Sequence, residues 1–474
     1  MLILRETCNM SMFLLTDQNK PYKIIGIIAE NLQNGGGLML LEFKTKNYKS
    51  FADEMIFSMM PAPKQKGLDY SIQTEKIGSK LYKGLSSAVI YGPNASGKTN
   101  IIGAMDTMKA IIQRGNIRNS DMFFSPNAAS SSLELIPNCN GGTNVPTVFS
   151  VKFIEASFLI EYSLEIELGE FMDKDFPRKI IEEKLVINGK EIYVRNDRLF
   201  INIPSLIKPY LNKGIKNNTS KLKDIAESSL NPTELFLNNG FKSIYTGKLF
   251  EIISEWFENK FVVIYRSDAI RTMRNFADPK EDTIYVEKTL TEAARMFGVT
   301  SNTLGYKPTN KEDEVVLCSI FKNKNVAIAA EAFESYGTIR FINEFPLVIN
   351  VMLNGGTLIM DEFDASIHPM ALMNLINIFH NDDININHAQ LIFNTHNPIF
   401  LNASLFRRDE IKFVERDDMT GNSSHYALSD FKTADGVRKG EDYMNNYFVN
   451  RYGAIKDIDF SDLLEKIISN KEEC

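Results

Sequence analysis

Eight consecutive residues of this chain, Gly92-Pro93-Asn94-Ala95-Ser96-Gly97-Lys98-Thr99, have the types and the spacing to wrap a phosphate. Glycines at the first and sixth places let the backbone close on phosphate oxygens, so that successive N–H groups point inward. Lys98 sets a cation against the β- and γ-phosphates, and the Thr99 hydroxyl can ligate Mg2+. A helix beginning at this point, with Asn100 in its first turn, adds about half a positive charge at its N-terminus. The pattern is G-x-x-x-x-G-K-[ST], and its chemistry is the binding of a nucleoside triphosphate. The bland alternative is a glycine-rich turn.

A second chemical stretch, GGTLIMDEFD, runs from Gly355 to Asp364 and carries an apolar strand directly into carboxylates. Buried acids need partners. Asp361 suits a Mg2+ held through water, and Glu362, one residue beyond, is placed to orient or deprotonate an attacking water. Without a phosphate loop, the same run reads as a strand end followed by a helix cap. A third apolar strand, AQLIFNTHNPIFL, ends in His396, 35 residues after Asp361. That separation leaves room for one helix and one return strand. A lone histidine at a strand end is commonly a satisfied polar residue, but this strand is expected to neighbour the acidic one, within reach of a γ-phosphate. His368, His380, His388 and His425 show no metal-ligand spacing.

The elements that must hold these groups are legible around them. Ala88 to Tyr91 is a short apolar strand before the loop, and Ile101, Ile102, Met105, Met108 and Ile112 recur near helical spacing after it, with Gly115 as a stop. Pro369 suits the first turn of a helix following DASIHP. Residues 145–203 alternate apolar and polar side chains, with Asn188-Gly189 between two runs, which predicts antiparallel hairpins. Residues 205–330 read as mostly helical, broken by Asn, Pro and Gly, and without the sustained heptads of a coiled-coil arm. From Phe345 onward short strands alternate with helices again. The expected fold is an α/β nucleotide-binding core split by a large insertion.

The bulk numbers narrow the class. The chain has 474 residues, 44% hydrophobic and 24% charged, with a net charge of −7. That is an ordinary globular composition, and it argues against a surface coated in basic residues for non-specific nucleic-acid binding. Cys8, Cys139, Cys318 and Cys474 lie far apart without metal-ligand spacing, which reads as reduced thiols in a cytoplasmic protein. No apolar run reaches the roughly 18–20 residues that cross a bilayer; the best candidate, FPLVINVMLNGGTLIM, holds Asn350, Asn354 and a Gly-Gly pair. Residues 1–38 lack the features of a signal peptide, and a well-formed first strand begins near Met39. Translation is expected to start at Met39, with residues 1–38 disordered or not translated; the alternative is a loosely packed N-terminal arm.

As a set, GPNASGKT, ESYGT (334–338), LIMDEFDASIHP and FNTHN resemble an ABC-type ATPase of the RecF/SMC-like class, rather than a transporter subunit or a hexameric ring ATPase. Within that class the C-terminal half is similar to ATP-binding proteins of prokaryotic abortive-infection and restriction-linked systems, RloA/AbiL-like and OLD-like but without a Toprim nuclease domain. LEFKTKNYKSF at the first strand, RRDEIKFVERD after the histidine, LSDFK at 428–432 and RYGAI at 451–455 also match. The resemblance spans residues 39–456, with few diagnostic residues between 115 and 330.

The resemblance implies a P-loop NTPase core built as an ABC-type ATPase head, with an inserted antiparallel β subdomain and a helical subdomain. The expected divisions are an N-terminal extension (1–38), the first half of the core (39–144), the β subdomain (145–204), a mainly helical insertion (205–330), the second half of the core with signature, Walker B and switch histidine (331–415), and a tail (416–474). It implies ATP and Mg2+ as cofactors, hydrolysis of ATP with Lys98, Glu362 and His396 as the catalytic groups, and a head-to-tail homodimer or higher oligomer. In such dimers the phosphate loop of one subunit and the signature segment of the other enclose each ATP. Ser335 and Gly337 would contact the γ-phosphate across the interface, and Asp364 would lie in the segment linking the two sites. The partner implied is a separate effector, such as a nuclease or toxin, in anti-phage defence. A DNA-binding repair ATPase and a low-turnover scaffold of a toxin–antitoxin pair are the alternatives.

The sequence departs from that pattern at one place. No glutamine occurs between Gln113 and Gln390, so the usual glutamine loop is missing, and Asn127 and Asn138 are the candidate replacements. The 78 residues after His396 are too few for a whole nuclease domain, and no D-x-D pair stands at a strand end there. Lys208, Lys213, Lys216, Lys221 and Lys223 form an acid-free run that could contact nucleic-acid phosphates or be a solvated loop. Trp256, the one tryptophan, is assigned to the core.

Overall fold

The computed structural model describes residues 3–7, 13–17, 20–24, 38–63, 65, 67–118, 133–142, 145–171, 173, 175–212, 224, 226–228, 230–265, 271–274, 283–309, 315–432, 440–456 and 458–472. At its centre is a six-stranded sheet. In chain order the strands are β1 (Ser87–Tyr91), β2 (Phe261–Ile264), β3 (Thr357–Met360), β4 (Gln390–Asn394), β5 (Ile411–Arg416) and β6 (Ser423–Ala427). In space they run β2-β3-β4-β1-β5-β6, parallel throughout except for the terminal β5–β6 hairpin. A parallel sheet covered on both faces needs apolar residues at successive positions rather than at alternate ones. The strands supply them. Ala88, Ile90, Ile359, Ile392 and Val414 join one core, while Val89, Tyr91, Leu358, Met360, Leu391, Phe393, Ile411 and Phe413 join the other.

Helix α1 (Lys98–Arg114) packs on the first face with Ile101, Ile102, Met105, Met108 and Ile112 all buried. Gly115 ends it at φ 70°, donating its N–H to the Ile111 carbonyl, a left-handed cap that favours glycine. Helix α2 (Tyr336–Asn354) leads into β3, and α3 (Pro369–Phe379) connects β3 to β4 with Pro369 in its first turn.

A seven-stranded antiparallel sheet covers the other side of α1. Its order is Leu199–Ile201, Lys190–Arg195, Lys179–Ile187, Phe158–Glu167, Thr147–Glu155, Met39–Lys46, Met55–Ser58. Asn188 and Gly189 turn one hairpin at φ 51° and 71°, the doubly left-handed geometry that Asn-Gly favours. Trp256 is fully buried between Phe153, with ring centroids 3.8 Å apart, and Phe261 at 4.7 Å. Gln390 ties the two sheets together. Its buried amide accepts from the Leu40 N–H at 2.6 Å and donates to the Leu85 carbonyl at 2.8 Å.

Two expectations need correction. Among the described residues of 205–330 the structure is mixed rather than mainly helical: helical turns fill 236–260 and Lys288–Met296, and strands occupy Phe261–Ile264, Arg271–Arg274, Thr283–Glu287, Thr303–Pro308, Val315–Phe321 and Val326–Ala329. Tertiary pairing overrides local propensity here, because β2 completes the central sheet and the last three of these strands pair in sequence. Nor is the N-terminal stretch without secondary structure, since Ile3–Thr7 pairs with Thr283–Glu287, and Phe13–Asp17 with Lys20–Ile24 and Arg271–Arg274. Among the described residues no helix is long and apolar enough to cross a membrane. Cys139 and Cys318 are free thiols, and Cys8 and Cys474 lie outside the described residues.

Candidate nucleotide site

The loop after β1 is shaped by positions that tolerate little else. Ala95 sits at φ 62° and Gly97 at φ 110°, in the left-handed region. A Cβ on Gly92 would stand 2.3 Å from the Val414 carbonyl oxygen. The Lys98 ammonium donates to the carbonyls of Gly92 at 2.8 Å and Pro93 at 2.9 Å, two of its three donors. Burial lowers the Lys98 pKa to about 8, against the pull of Asp361 and Glu362 in the other direction. Asn94 and Ala95 are exposed at the rim, Pro93, Thr99 and Asn100 are half-buried, and Ser96 is buried with its hydroxyl unpartnered among the described residues.

Opposite the loop, β3 delivers the acids. Asp361 is buried, and its Oδ1 accepts from Thr99 Oγ1 at 3.1 Å and from the Asn394 side-chain amide. Burial raises the Asp361 pKa, while the hydrogen bonds from Asn394 and Thr99 work the other way. Glu362 is exposed in a left-handed conformation, φ 51°, unusual for a residue with a side chain. Such strain costs on the order of 1–3 kcal/mol and persists where the surroundings hold it. Here two groups hold it: the Glu362 N–H donates to Asn394 Oδ1, and its carbonyl accepts from the buried Arg340 guanidinium. Neither Asn394 nor Arg340 was singled out by the sequence. The asparagine within FNTHN was the available signal, since a buried amide beside an acidic strand end needs a polar partner.

His396 stands past the end of β4, which lies between β3 and β1. Partial burial and the Lys98 charge lower its pKa, with Glu362 and Asp364 raising it, so the ring shares one electrostatic neighbourhood with all three. Asp364 accepts from Thr395 Oγ1 at 2.6 Å. Lys98, Thr99, Asp361, Glu362, Asp364 and His396 therefore gather at one end of the central sheet.

Ser335 and Gly337 sit at the start of α2. Ser335 is exposed and caps the helix, its Oγ accepting from the Thr338 N–H at 3.1 Å. Gly337 is buried against its own chain, where a Cβ would lie 2.0 Å from the Ser366 carbonyl oxygen. The Ser335–Gly337 segment thus rests on the Asp364–Ser366 turn. Gly337→Ala must push that turn away and is expected to cost about 1–3 kcal/mol of stability by overpacking. Urea unfolding should show the loss, while ATP titration should show an unchanged affinity at the phosphate loop.

The proposed stand-ins for the glutamine loop fare differently. Asn127 lies outside the described residues. Asn138 is buried, with its amide donating to the Lys49 carbonyl at 2.8 Å and Asn422 Oδ1 at 3.2 Å, and its own Oδ1 accepting from the Asn140 N–H at 2.8 Å. Lys208 is exposed, and Lys213, Lys216, Lys221 and Lys223 lie outside the described residues. Among the described residues no group of three or more His, Cys, Asp or Glu is placed to hold a metal. The hard oxygens of Thr99 and Asp361 fit a Mg2+ that keeps most of its waters and is completed by substrate phosphates.

Residues 87–402 match the family described as "AAA domain, putative AbiEii toxin, Type IV TA system". Among solved structures the chain is similar to the SMC head domain from Thermotoga maritima, at 12% identity and TM-score 0.32, covering 82% of this chain and 98% of that one. It is also similar to an SmcHead bound to the C-winged helix domain of ScpA, at 11% identity and TM-score 0.36, covering 84% and 99%. A third is an Smc head domain with an extended coiled coil bound to the C-terminal domain of ScpA derived from Pyrococcus furiosus, at 11% identity and TM-score 0.36, covering 83% and 97%. No curated protein matches the chain.

Proposed function

The chain belongs to this AAA-domain, AbiEii toxin-type family, and from that premise we propose an ATP hydrolase of ABC type whose nucleotide-driven dimerisation switches a separate effector in anti-phage defence. One observation carries the catalytic part. The Thr99 hydroxyl of the phosphate loop and the Asp361 carboxylate of β3 meet at 3.1 Å, with Lys98 and Glu362 in the same electrostatic neighbourhood. Steady-state phosphate release by the purified protein in ATP and Mg2+ tests it; no release above buffer would end the enzymatic reading.

The residues divide the work as follows. Inward N–H groups of the loop and the Lys98 ammonium bind and orient the triphosphate. Thr99 and Asp361 would hold Mg2+, which when bound neutralises charge on the β- and γ-phosphate oxygens. Glu362, fixed through its backbone on both sides, takes a proton from the attacking water. His396 presents its ring to the terminal phosphate, and Asn394 orients Asp361 and Glu362 together.

The dimeric part is supported by what surrounds the signature. Ser335 and Tyr336 are exposed at the N-terminus of a 19-residue helix, and Phe333 beside them is 50% exposed. A helix N-terminus favours an anionic group, and the exposed aromatics suit burial against a second copy. Ser335→Arg should leave ATP binding to the monomer at its native strength and abolish ATP-dependent dimerisation, measured by light scattering. ATP-dependent dimers of native strength in that variant would return the segment to an ordinary helix cap. The defence role and the effector draw support from the family to which the chain belongs. A neighbouring gene for a nuclease or toxin would strengthen that part, and a recombination operon would oppose it.

A further inference from the structure

Inward-facing N–H groups in a phosphate loop require outward-facing carbonyls, and buried carbonyls require donors. Lys98 serves the carbonyls of Gly92 and Pro93. The carbonyls of Ala95 and Ser96 are served from elsewhere, by the β5–β6 hairpin. Ser423 Oγ donates to the Ser96 carbonyl at 2.6 Å, and Arg416 Nη1 reaches the Ala95 carbonyl at 3.4 Å. The fit is close on the other side too. The Ser423 N–H donates to the Ser50 carbonyl at 2.7 Å, and Ser50 Oγ accepts from Asn100 Nδ2 at 2.8 Å. A Cβ on Gly97 would lie 2.6 Å from Ser423 Oγ and 2.7 Å from Ser50 Oγ, so the two serines leave room for glycine alone.

The tip of the same hairpin reaches the segment that enters the antiparallel sheet. Asn422 Oδ1 accepts from Asn138 Nδ2 at 3.2 Å and Asn140 Nδ2 at 3.0 Å, and Asn140 also donates to the Thr420 carbonyl at 2.6 Å. Ile136, in that segment, accepts from the Lys49 N–H at 2.9 Å, and Thr147 begins the strand that follows. A path therefore runs from the Ser96 carbonyl by a hydrogen bond to Ser423, along the backbone to the adjacent Asn422, and by hydrogen bonds to Asn138 and Asn140. No glutamine stands between Gln113 and Gln390, and the path ends at Asn138, one of the two candidate replacements.

We propose that the β5–β6 hairpin clamps the phosphate loop, with Ser423 as a positioning residue for nucleotide binding, and that Asn422 transmits nucleotide occupancy to the antiparallel sheet. The inference rests on the reading of Gly92–Thr99 as an ATP site. Ser423 acts by fixing the Ser96 carbonyl outward, which turns the next N–H inward.

The test uses the full chain with ATP and Mg2+. Ser423→Ala should weaken ATP binding about two- to tenfold, the value of one hydrogen bond, with the unfolding temperature of the nucleotide-free protein unchanged. Ser423→Thr, which keeps the hydroxyl, should restore native affinity. ATP should protect the 133–142 amides of the native protein from hydrogen exchange, and its failure to do so overturns the transmission; Asn422→Ala should bind ATP at native strength and lose that protection. Native affinity in Ser423→Ala overturns the clamp, and so does a threonine variant as weak as the alanine one. Retained protection in Asn422→Ala overturns the transmission. A native protein that binds no ATP removes the nucleotide reading itself, an outcome distinct from native binding with an unaffected Ser423→Ala.

Discussion

Glu362→Gln is expected to lower ATP turnover by about 10²–10⁴-fold, the usual contribution of a positioned general base, and to leave ATP binding intact. The substitution is close to isosteric, so it removes the proton acceptor without altering the shape of the site. It also spares what holds the residue. The contacts that stabilise its left-handed backbone are made by its N–H to Asn394 and its carbonyl to Arg340, and glutamine keeps both. Nucleotide titration alongside steady-state hydrolysis separates the two effects. Turnover at the native rate would mean that another group activates the water.

Lys98→Ala carries the second large effect. Hydrogen bonds involving a charged group contribute about 1.5–3 kcal/mol each, so loss of the ammonium from the phosphates should weaken ATP binding by about ten- to a hundredfold per bond. The structure adds a further cost. The same ammonium holds the Gly92 and Pro93 carbonyls, and without it the loop loses two of its outward anchors. Stability should stay near native, because alanine removes a desolvated charge, whose pKa burial lowers to about 8, together with the two hydrogen bonds that the ammonium makes to the loop. Weak ATP binding in a fully folded variant, by fluorescence titration and circular dichroism, is the expected pair of results. Native affinity would exclude Lys98 from the phosphate contacts.

Much of the candidate site was legible because local constraints dictate where its residues lie. A phosphate loop, an acid at a strand end and a histidine at the next strand end each leave a fixed spacing, and the apolar runs between them could only be a sheet buried on both faces. The sheet order places β4 between the acid and phosphate-loop strands, a relation the sequence could suggest only through the 35-residue separation. The groups that hold the site were not legible. Arg340 on α2, Asn394 on β4 and Ser423 on β6 act through contacts between residues distant in sequence, and nothing in their local pattern distinguishes them from solvated or capping residues. The insertion was legible only in its helical turns at 236–260 and Lys288–Met296. Its short runs have helical spacing, yet β2 is claimed by the central sheet and the strands from Thr303 to Ala329 by one another. Gln390 likewise carries no catalytic signal because its amide is spent between the two sheets.

The composite-site account is tested most directly by the mass in solution of the Glu362→Gln protein, measured by sedimentation velocity with and without ATP and Mg2+. Blocked hydrolysis should trap the closed state, giving a dimer with ATP and a monomer without it, and the added Ser335→Arg change should return the ATP sample to monomer. A Glu362→Gln protein that binds ATP and remains monomeric at saturating nucleotide would contradict the account.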